Sequence, residues 1–231
     1  MGRRVVTPFL DYSGIDKIDC IVISHNDVDH INGIPEIVEH CKVDGVYAND
    51  AFFGKIDKWG TAKFLEESMS KKGLKIRTIS ENLTLSKTAD LKILWPNEQI
   101  CADSELSDND KSLVCLIEFA GAEILLCSDI EKFAQRELLR LFPNLKPEVV
   151  VVPHHSSVKT LESTFLENLE ADILVRSCGR RQYERQQAVG QGSNTKSFFT
   201  VRDGALAISL GKDGSIECAR HNSTKAQECL R

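Results

Sequence analysis

With 231 residues, of which 42% are hydrophobic, the chain has the length and composition of one globular α/β domain. No apolar run approaches the roughly 20 residues that a membrane-spanning helix needs, and no secretory signal follows Met1, so a complete chain of this kind is expected in the cytoplasm. The net charge of −5 and the isoelectric point near 5.7 argue against tight non-specific binding of nucleic acid, because such binders carry a basic excess.

Apolar runs alternate with turn residues in a pattern that predicts strands interspersed with helices, typical of two packed sheets with helices outside. The predicted strands are 18–24, 43–47, 74–79, 83–85, 91–95, 113–119, 124–127, 149–152, 173–176, 198–201, 205–210 and 216–219. The predicted helices are 34–41, 61–72, 131–141 and 161–169. Residues 220–231 lack periodicity and are predicted to form a disordered tail after a domain of residues 1–219.

The first motif follows the strand that ends at Ser24. His25, Asp27, Asp29 and His30 place four metal-ligating side chains within six residues. Imidazole and carboxylate suit zinc, manganese or iron, and a carboxylate-rich set leans towards manganese. One ion cannot easily take all four groups from so short a loop, so the spacing favours two pairs, His25 with Asp27 and Asp29 with His30. This pattern indicates a two-metal centre of the kind that hydrolyses phosphodiesters, esters or amides. The alternative is a helix-capping loop, which needs no histidine.

Two further motifs also stand at strand ends. Asp129 follows the strand 124–127, and His154-His155-Ser156-Ser157 follows the apolar run 149–153. Open α/β sheets collect active-site groups at the carboxyl ends of their strands. The arginine-rich run 176–185 also follows a strand, and it could contact phosphates at a site entrance or form a solvated loop.

Together these motifs resemble the metallo-β-lactamase superfamily, and more narrowly the metallo-β-lactamase-like domain of ComEC competence proteins, which take up DNA. That subgroup carries His-x-Asp-x-Asp-His, as residues 25–30 do here, and residues 2–10, 109–114 and 204–208 also resemble its segments. The resemblance implies a four-layer αββα sandwich that lacks its first strands, since the family's opening hairpin precedes the segment that begins here. Ser156 stands where the family has glycine. Its Asn-x-Tyr-Gly-His-Pro segment is replaced by residues 179–187.

The resemblance also implies the roles of the site residues. His25 and Asp27 would hold one divalent ion, Asp29, His30 and one of the paired histidines the second, and Asp129 would bridge both. We expect His155 to be that ligand, because the family's last ligand commonly precedes a small residue. Asp29 and His154 are the candidate catalytic residues. Candidate substrate-binding residues, which could equally form turns or cap strands, are Asn109, Ser112, Ser156 and Ser157.

The expected function is therefore that of a metal-dependent hydrolase with two zinc or manganese ions, acting as a nuclease or phosphodiesterase in DNA uptake. The alternatives are hydrolysis of a small-molecule ester, lactone or phosphoester, or a degenerate domain that only binds a partner. A piece of a ComEC-like protein would lie at the extracytoplasmic face of the inner membrane, beside a membrane channel domain.

Overall fold

The computed structural model describes residues 2–54, 60–79, 82–86, 89–186, 195–220 and 228–229. The chain divides into two compact units, which we call unit 1 (Met1–Ser80 with Pro96–Leu113) and unit 2 (Glu81–Trp95 with Val114–Arg231). Within the described ranges, no helix is both long enough and apolar enough to span a bilayer.

Unit 1 begins with a π-helical turn, Gly2–Val6. The elements that follow are α1 Thr7–Tyr12, β1 Lys17–Ile18, β2 Ile21–Ile23, α2 Val28–Ile31, α3 Ile34–His40, β3 Lys42–Val43, β4 Val46–Ala48, α4 Asp50–Phe53, α5 Thr61–Ser70, β5 Ile76–Thr78 and α6 Glu98–Ala102. Strands β2, β4 and β5 form one parallel sheet, and β1 pairs with β3 in parallel.

The core of unit 1 fixes the end of β2. Helix α5 buries Ala62, Leu65 and Met69, which recur at the spacing of one helix face. They belong to the same buried cluster as Ile23 of β2 and Val46 of β4. Because Ile23 is held in this core, the polar residues that follow it start from a fixed point.

Unit 2 contains two sheets. Its elements are β6 Leu83–Ser86, β7 Ala89–Trp95, β8 Val114–Phe119, β9 Ala122–Leu126, α7 Lys132–Leu141, β10 Val149–Val151, α8 Pro153–Ser156, α9 Phe165–Leu169, β11 Ile173–Arg176, α10 Arg180–Gln186, β12 Lys196–Phe199, α11 Thr200–Asp203, β13 Leu206–Leu210, β14 Ile216–Arg220 and β15 Glu228–Cys229. The larger sheet has the order β12-β11-β10-β9-β8-β7-β6, and the smaller one the order β13-β14-β15.

Parallel pairing places the carboxyl ends of four strands of unit 2 side by side. Strands β9, β10, β11 and β12 are all parallel neighbours, with Val149 of β10 opposite both Ile124 and Ile173. Their carboxyl ends therefore lie along one edge of the sheet. That edge carries the residues that follow β9 and β10, including Asp129 and His154.

The smaller sheet packs on one face of strands β10, β11 and β12. Val149, Ile173 and Phe198 form a buried cluster with Cys218 of β14. Side chains alternate along a strand, so Ile173 packs there, whereas Leu174 and Arg176 face the other way. This alternation decides the surroundings of Arg176.

The structure contains elements that the sequence did not predict. Residues 2–12, for which no element was predicted, are helical, and 180–186 form α10 rather than a loop. In the predicted tail, Arg220 ends β14, and Glu228–Cys229 pair with Glu217–Cys218, because the edge of β14 offers backbone groups to any extended segment. The other tail residues lie outside the described ranges.

Candidate metal centre

The ligand loop of unit 1 runs from Ser24 to His30, and two of its backbone carbonyls, at Ser24 and Asn26, accept hydrogen bonds from neighbouring segments. The Leu113 N–H donates to the Ser24 carbonyl at 2.9 Å, and the Thr61 hydroxyl donates to the Asn26 carbonyl. Asp27 is extended and stands at the N-terminal end of α2, whose first turn carries Asp29. The loop thus changes from strand to helix between its two histidines.

The four candidate ligands of this loop lie in two histidine–aspartate pairs. The Nε2 atom of His25 lies 3.5 Å from Oδ2 of Asp27, and that of His30 lies 3.8 Å from Oδ2 of Asp29. The two imidazole rings are 4.2 Å apart between centroids. His25 is buried, whereas both aspartates are exposed, so each pair joins a less exposed nitrogen to a more exposed carboxylate.

Ser24 lies between the two histidines. Its Oγ is 3.1 Å from Nδ1 of His25 and 3.0 Å from Nδ1 of His30. A hydroxyl oxygen has two lone pairs and can accept from both ring N–H groups. In that state both Nε2 atoms carry a lone pair, which is the form that binds a metal ion.

The Asn109–Ser112 segment supports this loop from within unit 1. The Ser112 N–H donates to the Asn109 carbonyl at 2.9 Å, and the Asn49 side chain donates to the Lys111 carbonyl at 2.8 Å. Ser112 is fully buried, directly before the Leu113 N–H that holds Ser24. These contacts favour a supporting role for Ser112, and substrate contact by Asn109 or Ser112 stays a prediction.

In unit 2, Asp129 and the paired histidines stand on strained backbone. Ser128, His154, His155 and Ser156 have φ of 49°, 49°, 50° and 60°. A left-handed conformation costs a residue with a side chain about 1–2 kcal/mol. The His154 N–H donates to the Ser128 carbonyl at 2.9 Å, which ties the two strained turns together. Such strain clusters at functional sites, because the surrounding fold must hold it.

The side chains of the two histidines have different partners. Nε2 of His155 lies 3.7 Å from Oδ2 of Asp129, whereas Nδ1 of His154 lies 3.4 Å from Oε1 of Glu131. The ring planes are nearly perpendicular at 89°, with 6.5 Å between centroids. Asp129 is buried, and the His155 side chain is 44% exposed. The side chains of His154 and His155 therefore have different surroundings.

Gln135 connects the loops of unit 2. Its buried amide donates to the Ile130 carbonyl at 2.8 Å and to the Thr160 carbonyl at 3.0 Å, and its oxygen accepts from the Glu162 N–H at 2.7 Å. Helix α7 thereby holds the Asp129 turn and the loop that follows Ser157 in one arrangement. Ser156 and Ser157 are both buried in the turn, and the Ser157 N–H donates to the His154 carbonyl at 2.9 Å.

The residues present fit a metal ion in both units. Two ligands about 2.1 Å from one tetrahedral ion lie about 3.4 Å apart. The separations of 3.5, 3.8 and 3.7 Å between a histidine nitrogen and a carboxylate oxygen are close to that value. All three pairs combine imidazole with carboxylate, which suits zinc or manganese.

Three residues of these sites were not predicted from the sequence to have a role: Ser24, Glu131 and Gln135. Ser24 and Glu131 each stand one or two residues from a candidate ligand, so their proximity along the chain was available as a signal. Gln135 lies in a helix that reads as amphipathic, and its burial could not be inferred from sequence.

Comparison with known proteins finds one matching family profile and two curated relatives. The profile of the family described as "Beta-lactamase superfamily domain" matches residues 2–155, more than half of the chain. The chain is 28% identical over 205 residues to ComE operon protein 3 of Bacillus subtilis, with 87% of the chain and 25% of that protein covered. It is 26% identical over 215 residues to Competence protein ComA of Neisseria gonorrhoeae, with 90% and 28% covered. The chain spans about a quarter of the length of these curated relatives.

Among solved structures, Igni18, a metallo hydrolase from the archaeon Ignicoccus hospitalis, matches with a TM-score of 0.51. The match covers 88% of this chain and 80% of that one at 13% identity. Likeness at this identity concerns the fold alone. With the family profile it confirms the fold class predicted from the sequence, the mixed α/β fold of the metallo-β-lactamases.

Proposed function

The chain belongs to the metallo-β-lactamase superfamily, a family of metal-dependent hydrolases, and we propose that it is a phosphodiesterase that cleaves DNA with two divalent ions, zinc or manganese. The observation that carries this proposal is the set of three histidine–aspartate pairs, each with its nitrogen and oxygen at the separation of two ligands of one ion. Three of the six residues are aspartates. Hard carboxylate oxygens suit the ions that act on phosphates.

We propose that the candidate ligands bind two ions. His25 and Asp27 would hold the first ion, Asp29, His30 and His155 would hold the second, and Asp129 would be a ligand of both. The support is the order of the motifs along the chain and the pair geometry inside each unit. A pair of bound ions supplies Lewis acidity for the scissile phosphate and lowers the pKa of a water molecule to near neutrality.

The chain's own residues orient this chemistry. Ser24 contacts the Nδ1 atoms of His25 and His30, which would leave both Nε2 atoms to bind metal. Nδ1 of His154 lies 3.4 Å from Oε1 of Glu131, and Nε2 of His154 would accept or donate a proton at the substrate. Asp29 adds negative charge next to His30 and is the second candidate catalytic residue.

The link to DNA rests on the relatives. One curated relative is named Competence protein ComA and the other ComE operon protein 3, and the chain matches about a quarter of each. We propose that the chain acts on DNA during uptake, at the extracytoplasmic face of the inner membrane beside a channel domain, if it is part of such a protein. A chain that acts alone would work in the cytoplasm.

One observation favours a second candidate function. The net charge of −5 gives little general attraction for a polyanion, whereas a small phosphoester, ester or lactone needs none. A hydrolase of small molecules is therefore the alternative, and a domain that only binds a partner is the non-catalytic one.

The test is hydrolysis by metal-loaded protein. Protein loaded with manganese or zinc is mixed with single-stranded DNA and with bis(p-nitrophenyl) phosphate, and we expect cleavage of both that a chelator abolishes. Asp29→Asn should lower the rate at least tenfold, whereas Asp19→Asn, which changes an exposed aspartate paired with Lys17, should not. Equal rates for wild type and Asp29→Asn would indicate a contaminant. Hydrolysis of a lactone but of neither phosphodiester would favour the alternative.

A further inference from the structure

Arg176 ends strand β11, and it is a charged side chain in the interior of unit 2. Only 6% of its surface is exposed. It lies at the carboxyl edge of the sheet, one strand away from β10, which leads into His154 and His155. Arginine stays protonated in proteins, so this position holds a buried positive charge.

The neighbours of the guanidinium group are neutral. Its Nη1 donates to Oε1 of Gln186 at 3.2 Å, and its Cζ lies 5.6 Å from the ring centroid of Phe199. Burial lowers the pKa of Arg176, and the nearby Cys178 thiol is itself neutral at pH 7, since burial raises its pKa. Nε is buried and, among the described residues, has no hydrogen-bond acceptor.

The same contacts reach the turn that carries the histidines. Gln186, which accepts from Arg176, donates through Nε2 to the Ser156 carbonyl. The Ser156 hydroxyl is buried and, within the described part of the chain, makes no hydrogen bond. Arg176 and Ser156 are thus joined through one side chain, and each has a buried polar atom with unused hydrogen-bonding capacity.

A buried charge without a counter-charge costs several kcal/mol. No carboxylate among the described residues forms an ion pair with Arg176, and the sequence of residues 187–194, which follows Gln186, contains no aspartate or glutamate. Gln186 and Phe199 offset only part of this cost, because a neutral amide and a ring face attract a cation less strongly than a carboxylate does. The described residues thus leave the charge of Arg176 without a counter-charge, which an anion from outside the chain would supply.

We propose that Arg176 and Ser156 form an oxyanion site for the phosphoryl group of the substrate, next to the His154–His155 turn. This deepens the proposed function and rests on it for the substrate class. The guanidinium fork matches two phosphate oxygens, and the Ser156 hydroxyl can donate to a third. Gln186 is a positioning residue that fixes the guanidinium group relative to the Ser156 carbonyl.

The test uses metal-free protein, so that the site is separated from the ion chemistry. Full-length protein in chelator is titrated with inorganic phosphate and with the dinucleotide dTpdT at constant ionic strength, and the melting temperature is followed. Wild type should gain roughly 5 °C at saturating phosphate, as expected for a ligand that binds only the folded state. The dinucleotide should compete with phosphate for the same site.

Variants assign the effect to the two residues. Arg176→Met should weaken phosphate binding at least tenfold, and Ser156→Ala should weaken it several-fold. Arg181→Met is the matched control, since it removes an exposed arginine from α10 and should leave phosphate binding unchanged. If Arg176→Met does not fold, Arg176→Lys takes its place, because it keeps the charge but loses the fork and should weaken binding.

The proposal is overturned if phosphate does not stabilise wild type, if Arg176→Met or Arg176→Lys binds phosphate as tightly as Arg181→Met does, or if dTpdT cannot displace phosphate. The proposed function is tested apart from this. Phosphate binding that depends on Arg176 without phosphodiester hydrolysis supports the oxyanion site and removes the enzyme. Hydrolysis with no effect of Arg176 on phosphate binding does the reverse.

Discussion

At the scale of single residues, the candidate centre depends on how each imidazole is oriented. Ser24 contacts the Nδ1 atoms of both His25 and His30, and neither ring can turn without losing that contact. Residues that hold ligands in this way typically change metal affinity by 10–100-fold when they are removed. Ser24 is therefore as informative a target as the ligands.

Ser24→Ala should weaken metal binding by about 10–100-fold while the protein keeps its fold, because the ligands stay but both rings lose their fixed tautomer. Isothermal titration with zinc and with manganese measures the change, and circular dichroism checks the fold. Ser68→Ala is the control, since that hydroxyl donates to the Phe64 carbonyl within α5, away from the ligand loop in sequence. Equal affinities for the two variants would remove Ser24 from the site.

The two histidines at 154 and 155 should separate in their effects. His155→Ala should lower the amount of bound metal, because His155 lies against Asp129, whereas His154→Ala should keep the metal and lower the hydrolysis rate. Elemental analysis of the purified variants and rates at saturating metal measure both quantities. Loss of metal from His154→Ala alone would exchange the two assignments.

The candidate metal ligands could be named from the sequence, because a short loop with four ligating groups leaves few alternatives. The side chains that contact those candidate ligands could not be predicted. Glu131 contacts His154 only because the backbone turns left-handed at Ser128 and again at His154, and no residue pattern announces those turns.

At the scale of elements, the β8–β9 hairpin shows both what the sequence predicts and what it misses. The apolar runs 113–119 and 124–127 predicted the two strands. The structure has a two-residue turn in which Ala120 and Gly121 have φ of 51° and 84°. This is the sign pattern of a type I′ turn, which favours Asn-Gly over Ala-Gly.

Ala120→Asn should stabilise the protein by roughly 0.5–1 kcal/mol, because asparagine tolerates the left-handed region better than alanine does. Gly121→Ala should destabilise it by about 1–2 kcal/mol. Nothing lies within 4 Å of a Cβ at Gly121, so that cost belongs to the backbone alone. Urea unfolding measures both, and a stabilising Gly121→Ala would contradict the turn assignment.

Asp203 at the end of α11 links three elements of unit 2. It accepts from the Phe199 N–H at 2.8 Å and pairs with Arg202 at 2.6 Å and with Arg220 of β14 at 3.6 Å. Burial raises the pKa of Asp203, but the bonds from Arg202 and Phe199 outweigh burial and hold that pKa below its ordinary value. Asp203 therefore stabilises the fold fully above the pKa of an unfolded aspartate, about 3.9. This stabilisation is lost as the pH falls through the lower pKa that Asp203 has in the folded protein.

Asp203→Ala should destabilise the protein by about 1–3 kcal/mol at pH 7, since it removes the acceptor of the Phe199 N–H and the partner of two partly exposed arginines. The difference from wild type should shrink below about pH 4. Urea unfolding at pH 7 and at pH 3 measures it. Asp213→Ala, which removes an exposed turn residue bonded to Ser215, should have a much smaller effect at both pH values.

At the scale of the whole molecule, the strand and helix periods predicted packed sheets with helices outside, and the resemblance of the metal-ligand motifs implied the metallo-β-lactamase fold class, which the family profile confirms. Short helices such as α10 and the extra strand β15 were missed, because charged runs and brief pairings carry no period. The burial of Arg176 was missed for a related reason. It opens a run whose later arginines, Arg180, Arg181 and Arg185, are exposed, and only the sheet register shows that Arg176 faces inward.

Metal stoichiometry tests most directly the proposal that this chain binds two divalent ions. Equilibrium dialysis against manganese or zinc, followed by elemental analysis, should give about two ions per wild-type chain. It should give about one for His25→Ala and fewer than one for Asp129→Ala, because Asp129 is the proposed ligand of both ions. Fewer than one ion in wild type, or a full pair of ions retained by Asp129→Ala, would contradict the account.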